Sequence, residues 1–392
     1  MKAKGNQVQN SSLNSLSIEL VILNQNRMGI AFRIFLSIVL FGSFGSRGAR
    51  EYSSPSLSTS STFYSELFDS EEILQLVLSG DMRRPLNDKS QNPKFYPLTL
   101  SYLANGDSEK SLSIEVKARG NFRRLLGNCT YAPLMLRFEN NEVTQSSIFS
   151  GQKELKLVMP CQGDEYVIRE WLVYKLYNLL TPLSFKVRLV NIKLEQEGKT
   201  RNPESFYGFL LEDEKQLATR NGLFPLKRKL NPRQTQTEEF QTLAVFEYLI
   251  GNTDWSVQYL QNIKLLNEGG AQLPFAVPYD FDHAGIVNAP YALPAEGLKM
   301  SSVRERRYRG YCVEDLDDFI PTINHFKALK QEIYRLYNDM PLVEGKYLEQ
   351  TRLYLDDFYA ILNDEPTWRK DFGYPCDPKG TGNVVIKGLK GN

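Results

Sequence analysis

The chain reads as an α+β protein with two lobes, a strand-rich one followed by a helix-rich one. Three observations predict this. Six runs between residues 96 and 213 alternate apolar and polar residues at the strand period. One stretch among them, DEYVIREWLVYKLYNLL (164–180), repeats its apolar residues at three and four, the helical period. From residue 236 onward the helical period takes over. With 392 residues and 42% hydrophobic content, the chain has enough apolar surface for a large core.

Taken in order, residues 1–27 are polar and rich in Asn and Ser. From Met28 the run MGIAFRIFLSIVLFGSFGSRGA sets Arg33 before the apolar stretch Ile34–Phe41, with small residues after it. That is the plan of an export signal over 28–49, and its apolar part is too short to cross a bilayer, which needs ~20 residues. Residues 1–27 then read as an upstream extension foreign to the exported protein, whose expected location is periplasmic or extracellular. A Ser/Thr-rich linker occupies 50–69. The strand-rich lobe is expected over 70–215, built from YPLTLSYLA (96–104), KSLSIEVKARG (110–120), APLMLRFE (132–139), KELKLVMP (153–160), FKVRLVNIKLE (185–195) and SFYGFLLED (205–213). The helix-rich lobe, 216–392, opens with TQTEEFQTLAVFEYLIGN (235–252) and closes with ALKQEIYRLYND (328–339) and EGKYLEQTRLYLDDFYAIL (344–362).

Composition removes several functions. With 47 basic and 46 acidic residues the net charge is +1, which argues against a nucleic-acid or membrane-surface binder. No stable membrane span is expected once the signal is removed. Only His283 and His325 occur, without CxxC or HExxH, so zinc hydrolases and Ser-His-Asp chemistry lack their parts. Export lets the four cysteines pair, and one bridge per half is expected, Cys129–Cys161 and Cys312–Cys376; four buried thiols are the alternative.

The chemistry-bearing residues follow the order that phosphoryl transfer needs. Lys156 alternates with Leu155 and Leu157 on a strand and so points to the opposite face. Glu170 lies on the following helix, Glu212 ends a strand where a crossover would fall, and a further helix leads to GNTDW, with Asp254. Asn262 stands eight residues later, then an apolar strand and Asp280 in PYDFDHAG. Taken singly, each is commonly a surface charge or a turn residue; the ordered set is what points to a site.

In that order, and in the segments KARGNFRR (117–124), YGFLLED (207–213), GNTDW with QNIKLL, and PYDFDHAG, the chain resembles the atypical kinase-like fold and, within it, the spore-coat CotH kinase family and its exported bacterial relatives. The resemblance covers roughly residues 95–290 and implies a two-lobed protein-kinase-like fold. It implies Asp254 as catalytic aspartate, Asn262 and Asp280 as ligands of Mg or Mn, and Lys156 paired with Glu170 to clamp the phosphates of ATP. Asp282 rivals Asp280 as a metal ligand. The interval from Asp254 to Asn262 exceeds the five residues of the usual loop, so Trp255–Leu260 is expected to bulge outward. His283 is given no role. Arg304, Arg306, Arg307 and Arg309 in SSVRERRYRGYC form either a recognition segment or a loop with internal salt bridges. Two functions stay open: an exported metal-dependent phosphotransferase acting on a protein or envelope component, and an inactive kinase-like scaffold serving as an envelope binding module. Scarcity of ATP outside the cytoplasm weighs against the first.

Overall fold

A computed structural model of the chain describes residues 66–373 apart from 104–107, 121, 126–128, 200–204, 295 and 344. The extension, the signal, most of the linker and Cys376 lie outside the described residues. Three short helices and one long one accompany the first seven strands: β1 (Leu74–Gly80), α1 (Arg83–Asn87), β2 (Tyr96–Leu103), β3 (Lys110–Ala118), α2 (Phe122–Leu125), β4 (Leu134–Phe138), α3 (Glu142–Gln145), β5 (Glu154–Val158), α4 (Asp164–Leu180), β6 (Val187–Gln196) and β7 (Ser205–Leu211).

All six strand runs read from the sequence are present, but they do not form one lobe of a two-lobed kinase-like fold. A seventh strand, β1, joins them, and the seven close into a barrel in the order β1-β2-β3-β4-β5-β7-β6. Closure is made by the parallel pairing of β1 with β6, from Leu74 opposite Val190 to Gly80 opposite Gln196; the other pairs are antiparallel. A closed barrel leaves no edge strand exposed. Its interior is filled from alternate positions: Leu76 and Leu78, Leu112, Ile114 and Val116, Leu134 and Leu136, Leu155 and Leu157 are all buried in one cluster. The α+β character therefore stands, while the kinase arrangement is replaced by a barrel with helices against it.

Helix α4 is apolar around most of its circumference, because it is buried on both sides. One side meets β6 and β7, and the other meets the second and the fourth of the helices that follow. These are α5 (Glu214–Arg220), α6 (Thr237–Ile250), α7 (Ile320–Ala328), α8 (Lys330–Asn338), α9 (Gly345–Asn363) and α10 (Glu365–Phe372), with β8 (Phe224–Leu226), β9 (Ile263–Asn267) and β10 (Phe275–Pro278) forming a small sheet ordered β10-β9-β8. Among the described residues no helix is long and apolar enough to cross a membrane.

Cys129 and Cys161 form a disulfide with Cα atoms 4.0 Å apart. It ties the segment after α2 to the turn between β5 and α4, so the short helix α2 is fastened close to the strand that bears Lys156. Cys312 is disulfide-bonded as well.

Candidate active site

The loop that carries Asp254 begins where α6 ends. Gly251 sits at φ 69°, and a Cβ there would press on the Val303 carbonyl at 3.2 Å and on the Tyr354 hydroxyl. Asn252 follows and accepts a hydrogen bond from the Asp254 amide through its Oδ1 at 3.0 Å, an Asx turn that sets the direction of the loop. Ser256 and Gln261 then pair as an isolated antiparallel bridge, with N···O distances of 2.9 and 3.0 Å. The eight-residue interval is thus a small closed loop, with Leu260 in the left-handed region at φ 53°. The expected outward bulge of Trp255–Leu260 needs correction. Trp255 and Val257 turn inward and are buried, Trp255 against Phe240 with ring centroids 6.1 Å apart, and Tyr259 is the large apolar side chain left exposed. Burying two large apolar groups favours that direction.

Asn262 returns from this loop to Asp254. Its Nδ2 donates to the Asp254 carbonyl at 2.7 Å and to Oδ2 at 3.1 Å, while Gln261 Nε2 donates to Oδ1. The hairpin of β9 and β10, with Ile263 opposite Pro278, brings its two ends together. The Tyr279 amide therefore donates to the Asn262 carbonyl at 3.0 Å, and Asp280 follows directly. Both Asn262 and Asp280 adopt positive φ, 50° and 66°, a strained conformation for non-glycine residues that clusters at functional sites. Asp280 is held there by its amide donating to the Tyr174 hydroxyl of α4 at 2.8 Å. Phe281 is fully buried against Tyr174 and Phe246, which fixes the acidic residue on either side of it.

Lys156 leaves β5 on the face opposite Leu155 and Leu157, as the alternation requires, and its Nζ lies 3.7 Å from Asp280 Oδ1. The expected ion pair between Lys156 and Glu170 is not the one formed. Glu170 meets Arg123 of α2, at 3.6 Å, and Arg123 Nε and Nη2 also bond Asp282 Oδ2 at 3.2 and 2.5 Å. A planar guanidinium serves two carboxyl groups at once where an ammonium on a strand reaches one. Asp282, the rival metal ligand, is thereby committed to Arg123, whereas the Asp280 side chain is 37% exposed.

Two buried carboxyls share one guanidinium here, and their proton affinities separate. Burial opposes ionisation of Asp282, but Arg123, with His283 and Lys156, outweighs it and holds the carboxyl down to about 2. Burial and then the charge of Asp282 push Glu170 up to about 8, with Arg123 and Lys156 opposing. Glu170 thus keeps its proton at neutral pH. Its folded pKa exceeds the ordinary 4.5, so its stabilising effect is full below that value and is lost as pH rises through about 8. Thermal unfolding followed from pH 6 to 9 is expected to show a fall that the Glu170→Gln variant lacks; parallel curves for the two proteins would contradict this assignment.

Burial also raises the Asp254 carboxyl above the aspartate range; Asp282 and Asp280 add to the effect, and His283 and Arg309 oppose it. Repulsion among these carboxylates marks a place where a cation would be welcome. Among the described residues no group of three His, Cys, Asp or Glu side chains forms a metal site by itself. The donors at hand are the Asp280 carboxylate and the Asn262 amide oxygen, hard oxygen ligands of the number that suits an ion completed by water and phosphate oxygens. They fit Mg or Mn in that mode and do not form an all-protein cage.

Of the arginines in 304–309, three turn inward. Arg306 bonds Asp357 and the Leu249 and Tyr354 carbonyls, Arg304 bonds the Gly285 carbonyl, and Arg309 bonds the Thr253 and Trp255 carbonyls. Glu212 is buried and holds Arg220 at 2.8 Å and the Lys186 amide at 2.9 Å, a structural role. Arg123 and Gln261 are site residues that the sequence leaves without a role, Tyr174 reads there only as a core position, and Arg309 only as part of a recognition segment or salt-bridged loop. Arg123 lies in the quoted segment KARGNFRR, yet nothing in the spacing links it to Asp282. Comparison of the chain with protein-family models finds no match, and comparison with the curated proteins finds none either.

Proposed function

We propose that the chain is a metal-dependent phosphotransferase that moves a phosphoryl group from a nucleotide such as ATP to a hydroxyl of a protein or envelope component. The observation that supports this best is the meeting of Asp254, Asn262, Asp280 and Lys156 at one place, with two of them in strained backbone. The reading keeps the chemistry that the resemblance to the CotH kinases implies and drops their two-lobed fold.

In this scheme Asp254 accepts the proton of the attacking hydroxyl, whose oxygen bonds the γ-phosphorus as the bond to the departing diphosphate breaks. A raised carboxyl pKa suits that task, since it moves the base toward neutral pH. Gln261 and Asn262 hold the two carboxylate oxygens in place. Lys156 meets the phosphates as a point charge. A Mg or Mn ion bound by Asp280 and Asn262 would offset the phosphate charge. A disulfide near the site, at Cys129 and Cys161, accords with an oxidising compartment. The test is incubation of the purified protein with γ-labelled ATP, Mg or Mn, and an envelope extract. Label in protein or in an envelope component, above that in the extract alone, supports the reading; none with either metal sinks it.

A further inference from the structure

The underside of the Asp254 loop carries groups that the proposed chemistry does not use. Glu247, one turn before the end of α6, is fully buried, and the Asn252 side chain lies beside its carboxyl. Arg309 arrives here from a different part of the chain. Its Nη1 donates to the Thr253 carbonyl and, at 3.1 Å, to the Trp255 carbonyl, the two peptide oxygens on either side of Asp254.

The segment that brings Arg309 in is itself fixed. Val303 and Tyr308 are buried, Tyr308 against Phe319 with centroids 5.7 Å apart, and Cys312 is disulfide-bonded three residues on. Gly310 leaves no room for a Cβ beside the Tyr308 ring. A guanidinium held on a fixed segment and bridging two carbonyls limits how far the peptide between them can rotate.

We propose that Arg309 is a positioning residue for Asp254: it clamps the carbonyls of Thr253 and Trp255 over the buried Glu247, so that the Asp254 carboxylate keeps its place. This rests on the reading of Asp254 as proton acceptor for its functional meaning, though not for the clamp itself. Burial disfavours the charge of Glu247, with Asn252 and then Arg309 acting against it. Both bonds come from the one nitrogen Nη1, so the clamp depends on where the side chain places that nitrogen, and the shorter lysine side chain, which keeps the positive charge, restores only part of it.

The test is hydrogen exchange of the loop amides in the full chain, comparing wild type with Arg309→Met and Arg309→Lys. The Asp254, Ser256 and Gln261 amides are hydrogen-bonded within the loop and report on it directly. Exchange over 252–262 is expected to quicken at least tenfold in Arg309→Met and less in Arg309→Lys, with exchange over β5 unchanged. ATP binding to wild type in the presence of Mg is measured in parallel. Unchanged loop exchange in Arg309→Met would overturn the proposal, as would an equal increase across the barrel, which would mean general destabilisation. Should wild type bind no ATP, the phosphotransferase reading falls, and the exchange result still decides whether Arg309 clamps the loop.

Discussion

Replacing Asp254 by Asn is expected to lower phosphoryl transfer by about 100- to 10,000-fold, the range a positioned general base contributes. The substitution keeps size and removes the capacity to take a proton. It also sets an amide against two amide donors, because Gln261 Nε2 and Asn262 Nδ2 both point at the carboxylate. One of those contacts must become donor against donor, at a cost of about 1–3 kcal/mol for a group left unsatisfied in a partly buried place. The variant should therefore be somewhat less stable and remain folded. Measured as label transfer from γ-labelled ATP at saturating Mg, activity within tenfold of wild type would remove Asp254 from the role.

Arg123→Met is expected to have the largest effect on stability. The side chain is buried, it bonds Asp282 through two nitrogens, and it lies 3.6 Å from Glu170. Removing it leaves Asp282 charged and buried with its main partner gone, and breaking such a pair costs about 3–5 kcal/mol. Met fills much of the same volume, so the loss reports charge more than packing. Adding Asp282→Leu should recover part of the loss, since an apolar pair in place of a buried ion pair is often tolerated. Urea unfolding of the two variants checks this. A cost below 1 kcal/mol for Arg123→Met alone would mean that the pair is solvated.

Local pattern carried the elements, and distant pairing escaped it. The alternation in KELKLVMP places Leu155 and Leu157 inside the barrel and Lys156 outside, as its period requires. The helix over 164–180 has the bounds its spacing indicates. Barrel closure was not legible, for two reasons. Strand β1, LQLVLSG, was not among the runs read as strands, and it is the strand that closes the sheet. Its partner β6 lies more than a hundred residues away, and a period of two says which face is buried without saying which strand is the neighbour.

The site divides in the same way. Asp254, Asn262 and Asp280 were legible because each lies at the end of an element whose period is plain, and the β9–β10 hairpin does the rest. The partner of Glu170 was not, since Arg123 comes from a short helix on another connection of the barrel. Arg309 was read only as one of a cluster of charges, and its contact with two backbone carbonyls leaves no mark in composition.

The central claim is that the acidic cluster binds a nucleotide through a divalent ion, and calorimetric titration of ATP into wild type and Asp280→Ala, with and without Mg or Mn, tests it most directly. The account predicts binding to wild type that requires the ion, weakened by at least about 100-fold in Asp280→Ala, beyond the range seen when only the partner of a metal ligand is lost. No binding to wild type under any of these conditions, or binding that neither the ion nor Asp280 affects, would contradict it and leave the chain as a barrel scaffold with an acidic cluster.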